Sequence, residues 1–158
     1  MRSTRAWFTV GAVTTAMMVL GGAAAEEPKS GEQAAMRQLQ GVWRPESVTV
    51  NGKKQAGIDL ETFTGMTLTI DRDRSVLKAA DGVTISTYEM TYDTSKDPKT
   101  FDAKEVEGLG AGSVYKGIWK IEGNTLLWCF SLKDRPKSFE SKEGTDVTLM
   151  VQKRQEPE

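Results

Sequence analysis

The sequence predicts an all-β fold, an antiparallel up-and-down barrel of about eight strands with a short N-terminal helix. Short alternating runs of apolar residues are separated by turn signals, at spacings near the roughly 8–12 residues that are typical of all-β sandwiches and barrels. No long helical period separates these runs, which disfavours a parallel α/β sheet. Closure into a barrel removes exposed sheet edges, so we prefer it to the alternative, a two-sheet sandwich.

Residues 1–25 have the pattern of a secretory signal peptide. Arg2 and Arg5 precede the apolar run Ala6–Leu20, and Ala23–Ala25 supplies a cleavage signal of small residues. The run is shorter than the roughly 20 residues that span a bilayer. We therefore expect cleavage after Ala25, export to the periplasm or the extracellular space, and no membrane span in the mature chain.

The composition excludes several classes of function. The formal net charge is −1 and the sequence has no basic block, which argues against nucleic-acid binding. The absence of histidine excludes the usual zinc sites and histidine-dependent catalysis, and we expect neither a metal nor a cofactor. The single cysteine, Cys129, can form no internal disulfide, and its place between Trp128 and Phe130 predicts a small packed thiol.

The N-terminal part of the mature chain predicts one helix. Residues 26–35 form a linker and the start of this helix, and the barrel domain spans residues 36–154 before a tail at 155–158. Ser30 and Gln33 make a capping-box pattern, and apolar spacing favours a helix at Gly31–Leu39 that leans on the core.

The first strand is predicted at Val42–Val50, where Pro45 implies an edge or a bulge. In the next strand Met66, Leu68 and Ile70 alternate with polar residues. A change of phase predicts a β-bulge near Ser86-Thr87. A charged turn is expected at Arg72–Arg74, a hairpin turn at Asp81-Gly82, and further strands at Val76–Ala79, Thr100–Ala103, Lys137–Ser141 and Val147–Lys153.

The run Tyr115–Leu132 predicts a hairpin, because Gly123-Asn124 fits a two-residue type II′ turn. In the resulting register Trp119 faces Trp128 and Gly117 faces Phe130, so the largest side chains share one face. Gly117 is expected to make room for the Phe130 ring. The other face, with Ile118 and Cys129, is mixed and is expected to be half exposed.

Five side chains are the candidates for contacting a ligand inside such a barrel: Tyr115, Trp119, Trp128, Phe130 and Met90. An eight-stranded barrel can be filled by side chains or can enclose one small ligand. Both alternatives stay open at this point, because two tryptophans and a phenylalanine on one hairpin occupy much of the interior.

Other polar patterns give no catalytic or metal-binding residue. Asp71 and Asp73 imitate the start of a calcium loop, but the later ligand positions do not match. Glu105 and Glu107 lie only two residues apart, which is no geometric basis for a pair of catalytic acids. The glycine-rich run Val106–Ser113 lacks the context of a phosphate-binding loop, so we expect a flexible segment. The chain is therefore expected not to be an enzyme.

Several short motifs, taken in this order, resemble a family of small secreted lipocalin-like domains of uncharacterised function that is abundant in planctomycete bacteria. They are Leu39–Trp43, Asn51–Lys53, Phe63–Gly65, Gly117–Ile121, Arg135-Pro136 with Phe139, and Leu149 with Lys153-Arg154. The resemblance implies a lipocalin-like barrel. It also implies that Gly41, Trp43 and Arg154 close the narrow end, with the basic side chain packed across the indole.

These observations together predict a secreted, non-enzymatic protein that binds a small apolar ligand in the barrel mouth. The alternative is a structural or protein-interaction module with a filled barrel, which would bind a protein partner through its outer face and the Val106–Ser113 loop.

Overall fold

Eight antiparallel strands close into a barrel in the computed structural model, which describes residues 30–156 apart from the side chain of Ile58. The predicted signal peptide, the first linker residues and residues 157–158 lie outside the described part. The elements are α1 (Ser30–Leu39), β1 (Gly41–Val50), β2 (Lys53–Lys54), α2 (Gly57–Gly65), β3 (Thr67–Asp71), β4 (Arg74–Lys78), β5 (Thr84–Asp93), β6 (Lys99–Glu107), β7 (Val114–Glu122), β8 (Thr125–Ser131) and β9 (Thr148–Gln155).

The barrel closes by pairing its first strand with its last. β1 pairs with β9 from Val42 opposite Gln155 to Val50 opposite Thr148. β1 also pairs with β3, and the strands from β3 to β9 each pair with the next in chain order. The two-residue strand β2 pairs with the C-terminal end of β1. The predicted antiparallel barrel is therefore confirmed.

The two ends of the barrel differ in what covers them. The closed end carries α1, the β3–β4 turn and the loop between β5 and β6. The open end carries α2, the β4–β5 turn and the 108–113 loop between β6 and β7. The interior between them holds one apolar cluster, which consists of Leu39, Trp43, Ile70, Met90, Phe101, Ala103, Trp119, Leu126 and Trp128.

Helix α1 confirms the predicted N-terminal helix. Its last residue, Leu39, is fully buried in the barrel cluster, and Ala35 and Met36 pack against the same cluster. These three residues lie on one helical face because Ala35 and Met36 precede Leu39 by four and three residues, about one helical turn. The helix thus packs its apolar stripe onto the closed end.

Helix α2 is a feature that the sequence did not predict. It begins after Ala56, which makes no side-chain capping hydrogen bond. Its described side chains are exposed or half-buried, including Phe63. A short helix with no cap and little buried surface derives its stability from tertiary contacts, and here it lies beside β1 at the open end.

The hairpin β7–β8 has the register that the sequence predicts. Trp119 pairs with Trp128, Gly117 with Phe130 and Glu122 with Thr125. Gly123 has φ 60°, the left-handed conformation that the first position of a type II′ turn requires. The large side chains of the hairpin therefore point into the barrel.

The outer face of this hairpin is more buried than expected. Ile118 and Cys129 have almost no exposed surface and form a second apolar cluster with Val147, with Phe139 packed against it. The cover comes from the connection between β8 and β9. The predicted strand at Lys137–Ser141 is wrong, because this segment is irregular and uses Phe139 to pack on the barrel instead of pairing with a neighbour.

Two predicted irregularities are present. The pairing of β1 with β9 shifts between Pro45 and Ser47, as expected for a residue that lacks an N–H. In β5 the extra residue is Ile85, one position from the predicted bulge. The short strand expected at Thr100–Ala103 is part of the longer β6.

Candidate ligand-binding cavity

The interior of the barrel is not filled. A cavity of about 360 Å³ extends from α2 at the open end towards the closed end. Its walls are mostly aliphatic and aromatic, and they include Phe63, Met66, Leu68, Leu77, Met90, Phe101, Ala103, Trp128, Phe130 and Met150. None of the described residues that line it carries a charge.

Four of the five predicted ligand-binding residues lie around this cavity, namely Tyr115, Trp128, Phe130 and Met90. They come from three strands, β5, β7 and β8, whose inward faces meet inside the barrel. Tyr115 meets Phe130 edge to face, with ring centroids 5.8 Å apart. The aromatic face of the hairpin therefore forms one wall of the cavity.

The fifth candidate, Trp119, does not line the cavity. It is buried in the packed layer nearer the closed end, where it meets Tyr92 edge to face at 6.3 Å and Lys99 lies over its ring. Because side chains on a strand alternate faces, Trp119 points inward like Tyr115 but four residues farther from the open end. Its position makes it part of the support beneath the cavity.

A glycine in β7 explains how Phe101 fits beside the hairpin. The Phe101 ring lies over Gly117 and stacks on Trp128, with centroids 3.9 Å apart. A Cβ at position 117 would meet this ring and would also lie 2.8 Å from the Cys129 carbonyl oxygen. Gly117 thus makes room for Phe101 of the neighbouring strand β6, and not for Phe130 as the sequence suggested.

A buried carboxylate supports the wall of the cavity near the open end. Glu105 is only 3 % exposed, and its Oε1 accepts hydrogen bonds from the Ser86 hydroxyl at 2.9 Å and the Gly110 N–H at 3.1 Å. Its Oε2 accepts one from the Tyr115 hydroxyl at 3.3 Å. The glycine-rich 108–113 loop, which was expected to be flexible, is thus fastened to the barrel from inside, and Glu105 fixes the orientation of Tyr115.

The hydroxyl groups of the two tyrosines in the cavity wall do not ionise at neutral pH. Burial, with the nearby Tyr88 and Glu105, raises the pKa of Tyr115 to about 12. Burial is also the main cause that raises the pKa of Tyr88. Both hydroxyls therefore stay protonated, and both rings present neutral surface to the cavity.

Two polar side chains line the cavity near its floor, and the sequence reasoning did not identify them as site residues. Ser75 in β4 and Gln152 in β9 are each 1 % exposed. The Ser75 Oγ and the Gln152 Nε2 have no hydrogen-bond partner within the described chain. Gln152 could have been predicted to face inward, because Arg154 was expected to face inward and residues two apart on a strand share a face.

Gly41, Trp43 and Arg154, the residues expected to close the narrow end, lie together at the closed end of the barrel. The Arg154 guanidinium lies over the Trp43 ring, 4.2 Å from its centroid, and donates to the carbonyl oxygens of Gln40, at 2.6 Å, and Gln38. The Trp43 indole N–H donates to the Leu39 carbonyl oxygen at 2.9 Å. Gly41 is required here, because a Cβ would lie 2.8 Å from the guanidinium.

The Cys129 thiol is a packing group. It has no exposed surface and donates to the Ser138 carbonyl oxygen at 3.6 Å. Burial raises its pKa to about 11. The predicted packed thiol is confirmed, since little thiolate forms at neutral pH.

Two further features are absent from residues 30–156. No group of three or more Cys, Asp and Glu side chains in this range is placed to hold a metal ion. Neither helix has the length and apolar character needed to cross a bilayer.

Comparisons with protein-family models, with curated proteins and with solved structures found no match to this chain.

Proposed function

We propose that this chain is an exported, lipocalin-like binding protein that holds one small, mostly apolar molecule inside its barrel. The observation that carries the proposal is the apolar cavity of about 360 Å³. Cavities of roughly 300–1,000 Å³ with apolar and aromatic walls are typical of small-molecule sites.

The size of the cavity supports a ligand-binding role over a purely structural one. Protein interiors are normally close-packed, and residual apolar voids cost about 24 cal/mol per Å³. A barrel of this size that served only as a scaffold would gain several kcal/mol from larger side chains at positions such as Ala103. The alternative of a protein-interaction module with a filled barrel has less support, because the interior is not filled.

The lining favours binding over catalysis. Apart from the two tyrosines, whose pKa values are raised, the lining offers no acid or base near neutral pH. General acid–base catalysis works best with a group whose pKa lies near the working pH. The proposed role is therefore non-enzymatic, and the pattern of residues 1–25 supports export.

Native mass spectrometry of the protein, purified without detergent from an exporting host, tests the proposal. We expect an additional mass that organic extraction removes. Tryptophan fluorescence should then respond to added apolar molecules, because Trp128 lines the cavity. A bare chain mass together with no response to a panel of aliphatic and aromatic molecules would overturn the proposal.

A pair of variants on β6 locates the site. Ala103→Phe places a ring in the cavity and should weaken binding at least about tenfold, since it occupies volume that the ligand needs. Val106→Phe adds a ring to the same strand at an exposed position and should leave binding unchanged. Equal affinities in the two variants would place the ligand outside the barrel.

A further inference from the structure

We infer that the ligand carries a neutral oxygen head group, a carbonyl or a hydroxyl, which Ser75 and Gln152 bind at the floor of the cavity. This inference rests on the proposed function and goes beyond it by naming the chemical class of the ligand.

The main observation is the pair of unpartnered polar atoms. Within residues 30–156, four buried side-chain polar atoms lack a hydrogen-bond partner of normal geometry, and they belong to Ser75, Tyr92, Trp119 and Gln152. The Tyr92 hydroxyl lies close to Ser75, but the two hydroxyls do not meet hydrogen-bond geometry. Only the atoms of Ser75 and Gln152 belong to residues that line the cavity. Buried polar groups are almost always paired in folded proteins, so two unpaired ones in the wall of a cavity point to a partner that enters it.

Strand register places both residues next to the packed layer of the closed end. Ser75 is opposite Ile70, and Gln152 is opposite Pro45 and Leu126. Ile70 and Leu126 belong to the packed layer of the closed end. A head group bound by Ser75 and Gln152 would therefore sit deepest in the barrel, with the apolar body extending towards α2.

The available groups specify a hydrogen-bond acceptor. The Gln152 amide nitrogen is a donor, and the Ser75 hydroxyl can donate by rotating. A carbonyl or hydroxyl oxygen can accept from both, whereas a hydrocarbon would leave both unpaired.

Charge selects against acids and amines. No described lining residue is charged, so a buried carboxylate or ammonium would have no counter-ion. At the closed end, the Arg154 guanidinium is committed to the Trp43 ring and to two backbone carbonyls.

The volume limits the size of the ligand. A cavity of about 150 Å³ holds benzene, so about 360 Å³ accommodates about 14 non-hydrogen atoms. A ten-carbon chain with one oxygen function falls within this range.

A matched ten-carbon series tests the inference: decane, 2-decanone, 1-decanol, decanoate and decylamine, titrated at pH 7 with tryptophan fluorescence and calorimetry. We expect the ketone and the alcohol to bind at least about tenfold more tightly than the alkane, which corresponds to one well-made hydrogen bond. The carboxylate and the ammonium should bind more weakly than either.

Three variants assign the preference to particular residues. Ser75→Ala and Gln152→Met should each reduce the ratio of ketone to alkane affinity several-fold, because each removes one donor at nearly constant shape. Gln155→Met is the matched control. It makes the same substitution as Gln152→Met on the same strand, at a residue that does not line the cavity, and it should leave the ratio unchanged.

The outcomes separate the two proposals. If no member of the series binds and no other apolar molecule does, the proposed function fails. If the alkane binds as tightly as the ketone and the alcohol, or the carboxylate binds most tightly, this inference fails while the proposed function stands. It also fails if the preference survives Ser75→Ala and Gln152→Met. Should Gln152→Met not fold, Ser75→Ala and the wild-type series still decide.

Discussion

At the closed end of the barrel, Trp43 has no exposed surface, its N–H donates to Leu39, and Arg154 covers its ring. At the open end, α2 has no capping side chain, and Phe63 is half-buried over a cavity. Every exposed large hydrophobic side chain among the described residues also lies near the open end, and these are Val83, Val106, Leu109, Val114 and Leu132.

The difference shows how one barrel can combine stability with an unfilled interior. The closed end supplies the dense packing, with Leu39, Ile70, Trp119 and Leu126 in a layer around Trp43. The open end can then leave volume free, because the hydrogen-bonded strands of the closed barrel hold its walls in place. The comparison predicts that similar substitutions at the two ends change the free energy of unfolding by different amounts.

The largest expected effect is at Trp43. Trp43→Ala should lower the free energy of unfolding by about 3–5 kcal/mol, because it leaves a large void and removes the partners of Arg154 and Leu39. Phe63→Ala in α2 should cost less than about 1 kcal/mol, since this ring is half-buried beside an existing cavity. Urea unfolding followed by far-UV circular dichroism measures both. Similar losses in the two variants would mean that the open end contributes as much to stability as the closed end.

A second effect concerns the outer side of the open half, where the β8–β9 connection covers Cys129. Its pKa rises from 9.0 to about 11 on burial. Below pH 9 the thiol is protonated in both states. Between pH 9 and pH 11 the unfolded chain loses its proton first, so stability is lost over this window by about 2–3 kcal/mol.

Comparison with Cys129→Ala isolates this contribution. The variant should have a flatter stability profile between pH 9 and pH 11, while the decline above pH 10 from the buried tyrosines, which both proteins share, is unchanged. Parallel plots of stability against pH for the two proteins would show that the β8–β9 connection does not shield Cys129 from water.

Sequence patterns predicted the parts of the fold that depend on local signals. The Gly123-Asn124 turn fixed the register of the hairpin, and with it the inward positions of Tyr115, Trp128 and Phe130. The bulge at Pro45 followed from its missing N–H. These features depend on residues close together in the chain.

The floor of the cavity was missed because its polar residues lie on strands whose phase was assigned differently. The predicted last strand was described by Val147, Leu149 and Val151, but Val147 and Leu149 belong to the outer apolar cluster. The inward residues are Met150 and Gln152.

Ser75 was missed for a similar reason. The turn was expected to include Arg74, but β4 already begins there, and Ser75 pairs with Ile70 inside the barrel. Which face of a strand is covered depends on distant segments, such as the 132–147 connection, that local periodicity does not report.

Gly117 lies at the boundary between the packed layer and the cavity, and a methyl group there tests how firmly that boundary is held. Gly117→Ala should destabilise the protein by about 1–3 kcal/mol, because the Phe101 ring can move only towards Trp128 or into the cavity. Gly31→Ala adds the same methyl group to α1 with nothing within 4 Å, and it should be neutral or stabilising by up to about 1 kcal/mol. An undiminished stability for Gly117→Ala would show that Phe101 can shift freely into the cavity.

The smallest effect is expected at Leu109, the most exposed apolar side chain of the open end, with a relative exposure of 108 %. The 108–113 loop is held by hydrogen bonds to Glu105, from the Gly110 N–H to its carboxylate and from the Gly112 N–H to its carbonyl, and not by the Leu109 side chain. Leu109→Ala should therefore change the free energy of unfolding by less than about 0.5 kcal/mol.

Leu39→Ala makes the same substitution at the closed end and serves as the comparison. It should lower the free energy of unfolding by about 2–5 kcal/mol. If Leu109→Ala were also strongly destabilising, its side chain would have to be buried by a contact formed in solution, such as a second copy of the chain. A dependence of its stability on protein concentration would reveal that contact. A small, concentration-independent change would leave Leu109 as exposed surface, with the open end held from its interior side through Glu105.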